Sequence, residues 1–306
     1  MRLGVIDLGS NTIRLVVYQW NGVHLEKLYN VKHHTQNIKY VKNAFMSKEG
    51  LDSIVLSVKE LMVIARAYDV DKLNIFATAS LRNIKNSDEA VSYIQHEIDY
   101  PLDLLDGNEE TLFGFEGMRR TVNLPLDGIS VDIGGASTEI TYFKNNKVVF
   151  MGSLPMGSLN LFIQHVHNVL PTESEQFLIR LDVRNHLDSL VWLKSLKINT
   201  IIGIGGSARA IMRLHQAKYD INTSIFDMQL SRKLISEYAS FVMNQKDQET
   251  LLILKAIPDR ISTVIPGAII IDEIMSLVSA ENYMLSSYGV REGYLFNRIL
   301  TNETDK

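Results

Sequence analysis

The 306 residues carry 31 Lys and Arg against 35 Asp and Glu, a net charge of −4, with 46% apolar residues and no cysteine. That length suits about two domains with a real core, and the absence of cysteine excludes a disulfide framework or a thiolate metal site. The mild acidity argues against a dedicated nucleic-acid binder, so a polyanionic ligand would need a local basic track. The N-terminus, Met1 to Asp7, enters a strand at once and lacks the layout of a signal peptide. The most apolar run, Ile265 to Val278, carries Asp272 and Glu273 and is too short to span a bilayer. The expectation is a cytoplasmic enzyme or binding protein with no nucleic-acid and no membrane partner.

In chain order, strands are predicted over Leu3–Asp7, Thr12–Tyr18 and about Val23–Tyr29. A helix follows from Ser47, its N-cap, with Leu51, Ile54, Val55, Val58, Leu61, Met62 and Ala65 as the apolar stripe. A strand at Leu73–Ala77 leads into Thr78 to Asn83, then a helix over Ser87–Ile98, a strand at Pro101–Leu105 and a helix near Glu109 with Asn108 as N-cap. The second block repeats the order: strands at Asp127–Asp132, Ser137–Phe143 and Val148–Leu154, helices over Leu159–His167 and Glu173–Leu196, and a strand at Thr200–Ile204 running into a helix. Helices over Leu230–Met243, Thr250–Ala256 and Pro266–Ser279, a strand near Tyr283–Ser286 and a terminal helix complete the chain, with a frayed tail from Thr301. Alternating strands and helices indicate α/β layers, and the region Arg119–Leu126 is the expected hinge.

Two stretches carry the same pattern. Val5-Ile6-Asp7-Leu8-Gly9-Ser10-Asn11-Thr12 and Val131-Asp132-Ile133-Gly134-Gly135-Ala136-Ser137-Thr138 each run from a strand through Asp-x-Gly into a second strand. β-branched residues flank glycines that can take φ > 0. Aligned on Asp7 and Asp132, Gly9 meets Gly134 and Leu15-Val16 meets Ile140-Thr141. A duplicated domain with two phosphate-holding turns facing one cleft is the reading, because successive backbone N–H groups in such turns cradle anionic oxygens. The Ser10, Thr12, Ser137 and Thr138 hydroxyls would add donors, and Asp7 and Asp132 stand where carboxylates hold Mg²⁺. A third loop, Gly203-Ile204-Gly205-Gly206-Ser207, follows a strand and opens a helix, where amides hold an anion. It also imitates a dinucleotide fingerprint with Asp220 near the acidic position, but it sits late in the chain behind helical segments. Glu109 and Glu110 have two readings: carboxylates favoured in a first helical turn, or a general base for water attack on phosphorus. Arg82 and Arg14 are phosphate clamps or solvated arginines. The pairs His33-His34 and His165/His167 read as surface or packing residues.

With those motifs in order, the chain resembles the exopolyphosphatase and guanosine pentaphosphate phosphohydrolase family of the actin/hexokinase-like superfamily. Five stretches carry the resemblance: Val5 to Leu15, Ala77 to Arg82, Gly107-Asn108-Glu109-Glu110, Val131 to Glu139 and Gly203 to Ser207; Pro266-Gly267-Ala268 and Gly289 to Gly293 are later landmarks. The resemblance implies two ribonuclease-H-like α/β domains flanking a cleft, at 1–120 and 121–293, with a C-terminal helix at about 294–306 packing back on the first. It implies Glu110 as catalytic base. Asp132 and Glu139, with Asp7 nearby, would hold Mg²⁺ (or Mn²⁺). Ser10, Asn11, Arg82, Gly134, Gly135 and Ser137, with Gly205 and Gly206 of the third loop, would contact phosphate oxygens. The implied reaction removes the terminal phosphate of inorganic polyphosphate, with guanosine pentaphosphate as the alternative substrate. A kinase of the same superfamily, or a non-hydrolytic sensor that binds polyphosphate or alarmone, would also fit these motifs. Homodimerisation is implied by the resemblance alone. Ala136 stands where a third glycine is usual, and Thr111 where alanine is common. The longer members' C-terminal helical extension is missing from these residues, which implies a short-form enzyme suited to short chains. Lys32, Lys85, Arg119, Arg120, Arg260 and Arg291 are candidates for the basic track.

Overall fold

The computed structural model describes residues 1–241 and 247–300. Contacts divide the chain into two compact units, Met1–Glu110 and Thr111–Lys306.

In the first unit, β1 (Arg2–Leu8), β2 (Ile13–Trp20) and β3 (Leu25–His33) form an antiparallel meander. A two-residue hairpin, β4 (Val41–Lys42) and β5 (Phe45–Met46), precedes α1 (Lys48–Ala67). The Ser47 hydroxyl accepts from the Gly50 amide, the expected cap, and the predicted apolar stripe is the buried face of α1. β6 (Lys72–Ala77) returns parallel to β1, followed by α2 (Ala79–Arg82), α3 (Ser87–Ile98) and β7 (Asp103–Leu104), giving the order β3-β2-β1-β6-β7.

The next helix, α4 (Gly107–Met118), runs across the boundary between the units. Its N-cap is Asp106 rather than the expected Asn108: the Asp106 carboxylate accepts from the Asn108 and Glu109 amides at 2.7 and 2.8 Å. The Glu109 side chain returns a bond from the Asp106 amide at 3.1 Å, closing a capping box.

The second unit repeats the plan. β8 (Asp127–Ile133), β9 (Thr138–Lys144) and β10 (Lys147–Leu154) form the meander, joined at one end by Asn145 and Asn146 in left-handed conformation. Next come α5 (Ser158–His165), α6 (Glu173–Leu187), β11 (Thr200–Ile204) parallel to β8, and α7 (Gly205–Lys218). Then β12 (Gln229–Ser231), α8 (Arg232–Ala239), α9 (Asp247–Ala256), α10 (Val264–Val278), β13 (Asn282–Leu285) and α11 (Val290–Tyr294) complete the unit. The order β10-β9-β8-β11-β13-β12 is that of the first sheet with an antiparallel edge strand added. Each unit therefore has the ribonuclease-H-like α/β plan. The core of the second unit is built around α10, which is buried almost throughout. Its acidic pair is neutralised by α6: Arg180 bridges Asp272 and Glu273 at 2.6 and 2.7 Å, and Arg184 holds Glu273 at 2.6 Å. No helix of the described residues is long and apolar enough to cross a membrane.

Several boundaries differ from the sequence reading. The division falls at Glu110/Thr111 rather than at 120, inside a helix. Residues 294–299 group with the second unit rather than the first: Tyr294 meets Phe113 edge-on at 5.7 Å. The helix predicted over Glu173–Leu196 stops at Leu187 and resumes as a 3-10 turn at Val191–Ser195. The edge strand β12 is too short, at three residues, for its alternation to be read, and it takes Leu230 and Ser231 from the predicted 230–243 helix, which begins at Arg232. The predicted end of the 230–243 helix and the tail from Thr301, with the end of the 294–306 helix, lie outside the described residues.

Candidate active site

The two Asp-x-Gly stretches fold into matching hairpins. Asp7 lies opposite Arg14 and Asp132 opposite Glu139, the same seven-residue offset, and Leu15 and Ile140 face the residues just before each aspartate. In both, the glycine amide closes the turn: Gly9 N–H donates to the Thr12 carbonyl at 3.1 Å, and Gly134 N–H to the Ser137 carbonyl at 2.9 Å. A serine from the helix after the neighbouring parallel strand then caps the last carbonyl of each central strand. Ser80 donates to the Leu8 carbonyl at 2.6 Å, and Ser207 to the Ile133 carbonyl at 2.9 Å.

The glycines serve close approach, not left-handed backbone. Among the described residues only Gly22 and Gly205 are glycines at positive φ, so Ala136 takes its place in the second turn without strain. Because the Gly134 amide is used within the hairpin, phosphate donors in the turns reduce to the next two residues. The amides of Ser10 and Asn11, and of Gly135 and Ala136, make no hydrogen bond among the described residues. Paired amides of this kind are an anion-holding element. The turn carbonyls, by contrast, are occupied. In the second unit they cap α5: Ser158 N–H donates to Gly134, and the Leu159 and Asn160 amides donate to Gly135, at 3.0, 3.0 and 2.9 Å. Ser137 is 2% exposed at the base of this turn. Thr138 is no donor to a ligand, since its hydroxyl is bonded to the Met156 carbonyl at 2.7 Å.

Glu110 and Arg82 come together in the first unit. Arg82 Nη1 donates to Glu110 Oε2 at 2.8 Å and to the Leu105 carbonyl at 2.9 Å, with side-chain exposures of only 18% and 11% for Arg82 and Glu110. The guanidinium therefore orients a carboxylate, a role the reading of Arg82 as a phosphate clamp did not contain. Glu109 is accounted for by the capping box, which leaves Glu110 as the chemically interesting member of the pair.

In the second unit, Asp132 and Glu139 stand directly opposite one another, and the Ser153 hydroxyl donates to Glu139 Oε1 at 2.8 Å. Gly205, at φ +81°, lets the Asp132 carboxylate lie against the backbone, and a Cβ there would collide with Asp132 Oδ1. Gly206 is likewise covered by the Arg260 guanidinium. Arg209, on α7, belongs to the same basic group. Burial and then the charge of Arg291 pull its guanidinium down to about 10, partly offset by Glu292 and Asp132. Burial lowers Arg260 as well. Arg209 was missed in the sequence, where nothing but its place two residues after Gly-Gly-Ser marks it. Two other candidates for the basic track are committed elsewhere: Arg119 and Arg120 both pair with Glu116 at 2.9 Å. Lys85 lies over the Phe45 ring at 5.7 Å, and Lys32 is directly opposite Arg14. Among the described residues no group of three His, Asp or Glu side chains forms a ready metal cage.

The family model for the Ppx/GppA phosphatase family matches residues 16–302. The chain belongs to the Ppx/GppA phosphatase family. Among curated relatives, exopolyphosphatase 1 of Mycobacterium tuberculosis is 24% identical over 310 residues, covering 100% of this chain and 90% of the relative. A guanosine-5'-triphosphate,3'-diphosphate pyrophosphatase of Aeromonas hydrophila is also 24% identical, over 97% of this chain and 59% of the relative. The crystal structure of an exopolyphosphatase from Cytophaga hutchinsonii superposes with a TM-score of 0.86 at 22% identity, covering 97% of both chains. The Aquifex aeolicus Ppx/GppA member gives 0.78 at 20% identity, over 99% of this chain and 98% of that one. This Ppx/GppA chain thus has the family's actin-like fold.

Proposed function

We propose that this Ppx/GppA chain is an exopolyphosphatase that releases the terminal phosphate of inorganic polyphosphate. The observation that carries the reading is the part-buried Arg82–Glu110 pair, in a chain whose two hairpins each leave two turn amides unbonded among the described residues. Glu110 would take a proton from water as its oxygen bonds to the terminal phosphorus and the bridging P–O bond breaks. The products are phosphate and a chain one unit shorter. Arg82 fixes the plane of the base. Ser10 and Asn11, and Gly135 with Ser137 of the second turn, would hold phosphate oxygens. The α7 start at Gly205 and Gly206, with Arg209, Arg260 and Arg291, supplies positive charge for the rest of the chain. Asp132 and Glu139 suit Mg²⁺ or Mn²⁺, which bind through one or two carboxylates and complete their shell with water and substrate phosphate; Asp7 is the equivalent carboxylate of the first hairpin. When bound, the ion would neutralise charge on the reacting phosphate.

The likeness to the Aeromonas enzyme favours guanosine pentaphosphate as the second reading. Phosphate release from short and long polyphosphate, guanosine pentaphosphate and ATP, with Mg²⁺, decides between them. The highest kcat/KM is expected on polyphosphate, and turnover on none of the four would overturn the enzymatic reading.

A further inference from the structure

The first turn is held by a short strap, where the carbonyls of the second turn are taken by the start of α5. Over three consecutive residues, the strap takes the three consecutive carbonyls of the turn. Gln36 N–H donates to Asn11 at 3.1 Å, Asn37 Nδ2 to Gly9 at 3.0 Å, and Ile38 N–H to Ser10 at 3.3 Å. The Gly9 carbonyl can only accept, so the amide nitrogen of Asn37 faces it and the side-chain oxygen turns away. That oxygen is buried, on a residue 0% exposed, and has no hydrogen-bond partner among the described residues; the hydroxyl oxygen of the neighbouring, half-buried Thr35 is likewise buried and unpartnered. Gln36 between them is left-handed, at φ 46° and ψ 50°. A non-glycine residue at positive φ and two orphaned buried oxygens within three residues each disfavour the fold, and such features persist where a site over-determines them.

We propose that Asn37 is a positioning residue for phosphate binding, and that the strap Thr35–Ile38 sets the Ser10 and Asn11 amides by locking the opposite, carbonyl side of the same peptide units. The proposal rests on the phosphate-binding reading of the first turn. A planar peptide unit whose carbonyl is tied cannot rotate its N–H away from a ligand. Asn37 is the one side chain in the arrangement, and it sits on the carbonyl of Gly9, in the same peptide plane as the Ser10 amide. Locking the amides in advance lowers the ordering loss on binding, so the effect belongs in affinity more than in turnover.

The test measures binding of tripolyphosphate with Mg²⁺ by calorimetry in a Glu110→Gln background, beside KM and kcat in the otherwise native chain. Asn37→Ala removes the donor, and Asn37→Asp replaces it at equal size with an acceptor. Both are expected to raise Kd and KM by about three- to tenfold, with kcat within about twofold. Gln36→Val, on a half-buried residue, forces the strap out of its left-handed turn while keeping the Asn37 amide that bonds Gly9, and is expected to raise Kd as well. It serves if neither Asn37 variant folds. A lower Tm with unaltered Kd in the folded variants would make the strap merely structural and overturn the proposal. No binding by the Glu110→Gln parent would instead remove the phosphate-site reading beneath it.

Discussion

The two Asp-x-Gly hairpins share register, turn closure and the serine that caps the central strand, yet they differ at the position opposite the aspartate. In the first unit it is Arg14, whose guanidinium also reaches Asn30 at 3.1 Å; in the second it is Glu139, supported by Ser153. One scaffold thus presents an aspartate facing a cation in one copy and an aspartate facing a second carboxylate in the other. Directly opposed like charges are unfavourable in a sheet on their own, and in the second copy Arg209 lies close enough for the charge of Asp132 to act on it. The copies also differ in what holds the turn: a regular helix start in the second, an irregular strap in the first. Backbone duplication set the geometry, and a few side chains divided the work.

The largest effect tests the carboxylate outside either hairpin. Glu110→Gln is expected to lower kcat by about 10²- to 10⁴-fold with substrate binding retained; equal turnover would move the base elsewhere. Next, Glu139→Gln is expected to reduce kcat/KM by about a hundredfold, with partial recovery as Mg²⁺ is raised. Arg14→Glu, which makes the first hairpin resemble the second, is expected to cost less than tenfold and to show no such recovery. Matching losses and matching metal rescue would erase the distinction between the copies.

Stability separates the units as well. Arg180→Ala leaves Asp272 and Glu273 buried without their shared partner and is expected to destabilise the second unit by about 3–5 kcal/mol, read by denaturant unfolding. The smallest effect is set by pH. Burial raises Glu175, but bonds from the Thr172 amide and from His167 outweigh it and hold the carboxyl at about 2. Burial likewise raises Glu273, and the Arg184 and Arg180 bonds more than offset it. For carboxyls lowered on folding, the stabilisation is complete above the unfolded value near 4.3 and is lost as pH falls toward the folded one. In the first unit Asp52 is also lowered, an exposed group held by Lys48 and Tyr93. The two tryptophans, Trp20 and Trp192, fall one in each unit. On acidification below about pH 4.5, fluorescence in a Trp20→Phe chain is expected to change before that in a Trp192→Phe chain.

Local signals made much of this legible. The strand over 200–204 and the helix over 87–98 have the predicted bounds, and Ser47 caps as its hydroxyl suggests. The matching registers follow from the duplicated motif, because turns of equal length fix the same pairing in each hairpin. Other features depended on partners distant in sequence. Nothing near Thr138 announces that its hydroxyl belongs to Met156, and Arg82 meets Glu110 across 28 residues. The strap was invisible for the same reason: Asn37 looks like an ordinary loop asparagine until Gly9 is placed beside it.

The seam between the units has a consequence for heredity. It runs through α4 at Glu110, not through a linker. A genetic crossover or protein split there would break a helical turn at the residue assigned the central chemistry, so the two halves are poor candidates for independent cassettes. An exchange that keeps α4 whole and with the first unit would break the chain later, in the segment between Met118 and Asp127. Chimeras with related sequences should survive that junction far better than the one the contacts alone suggest.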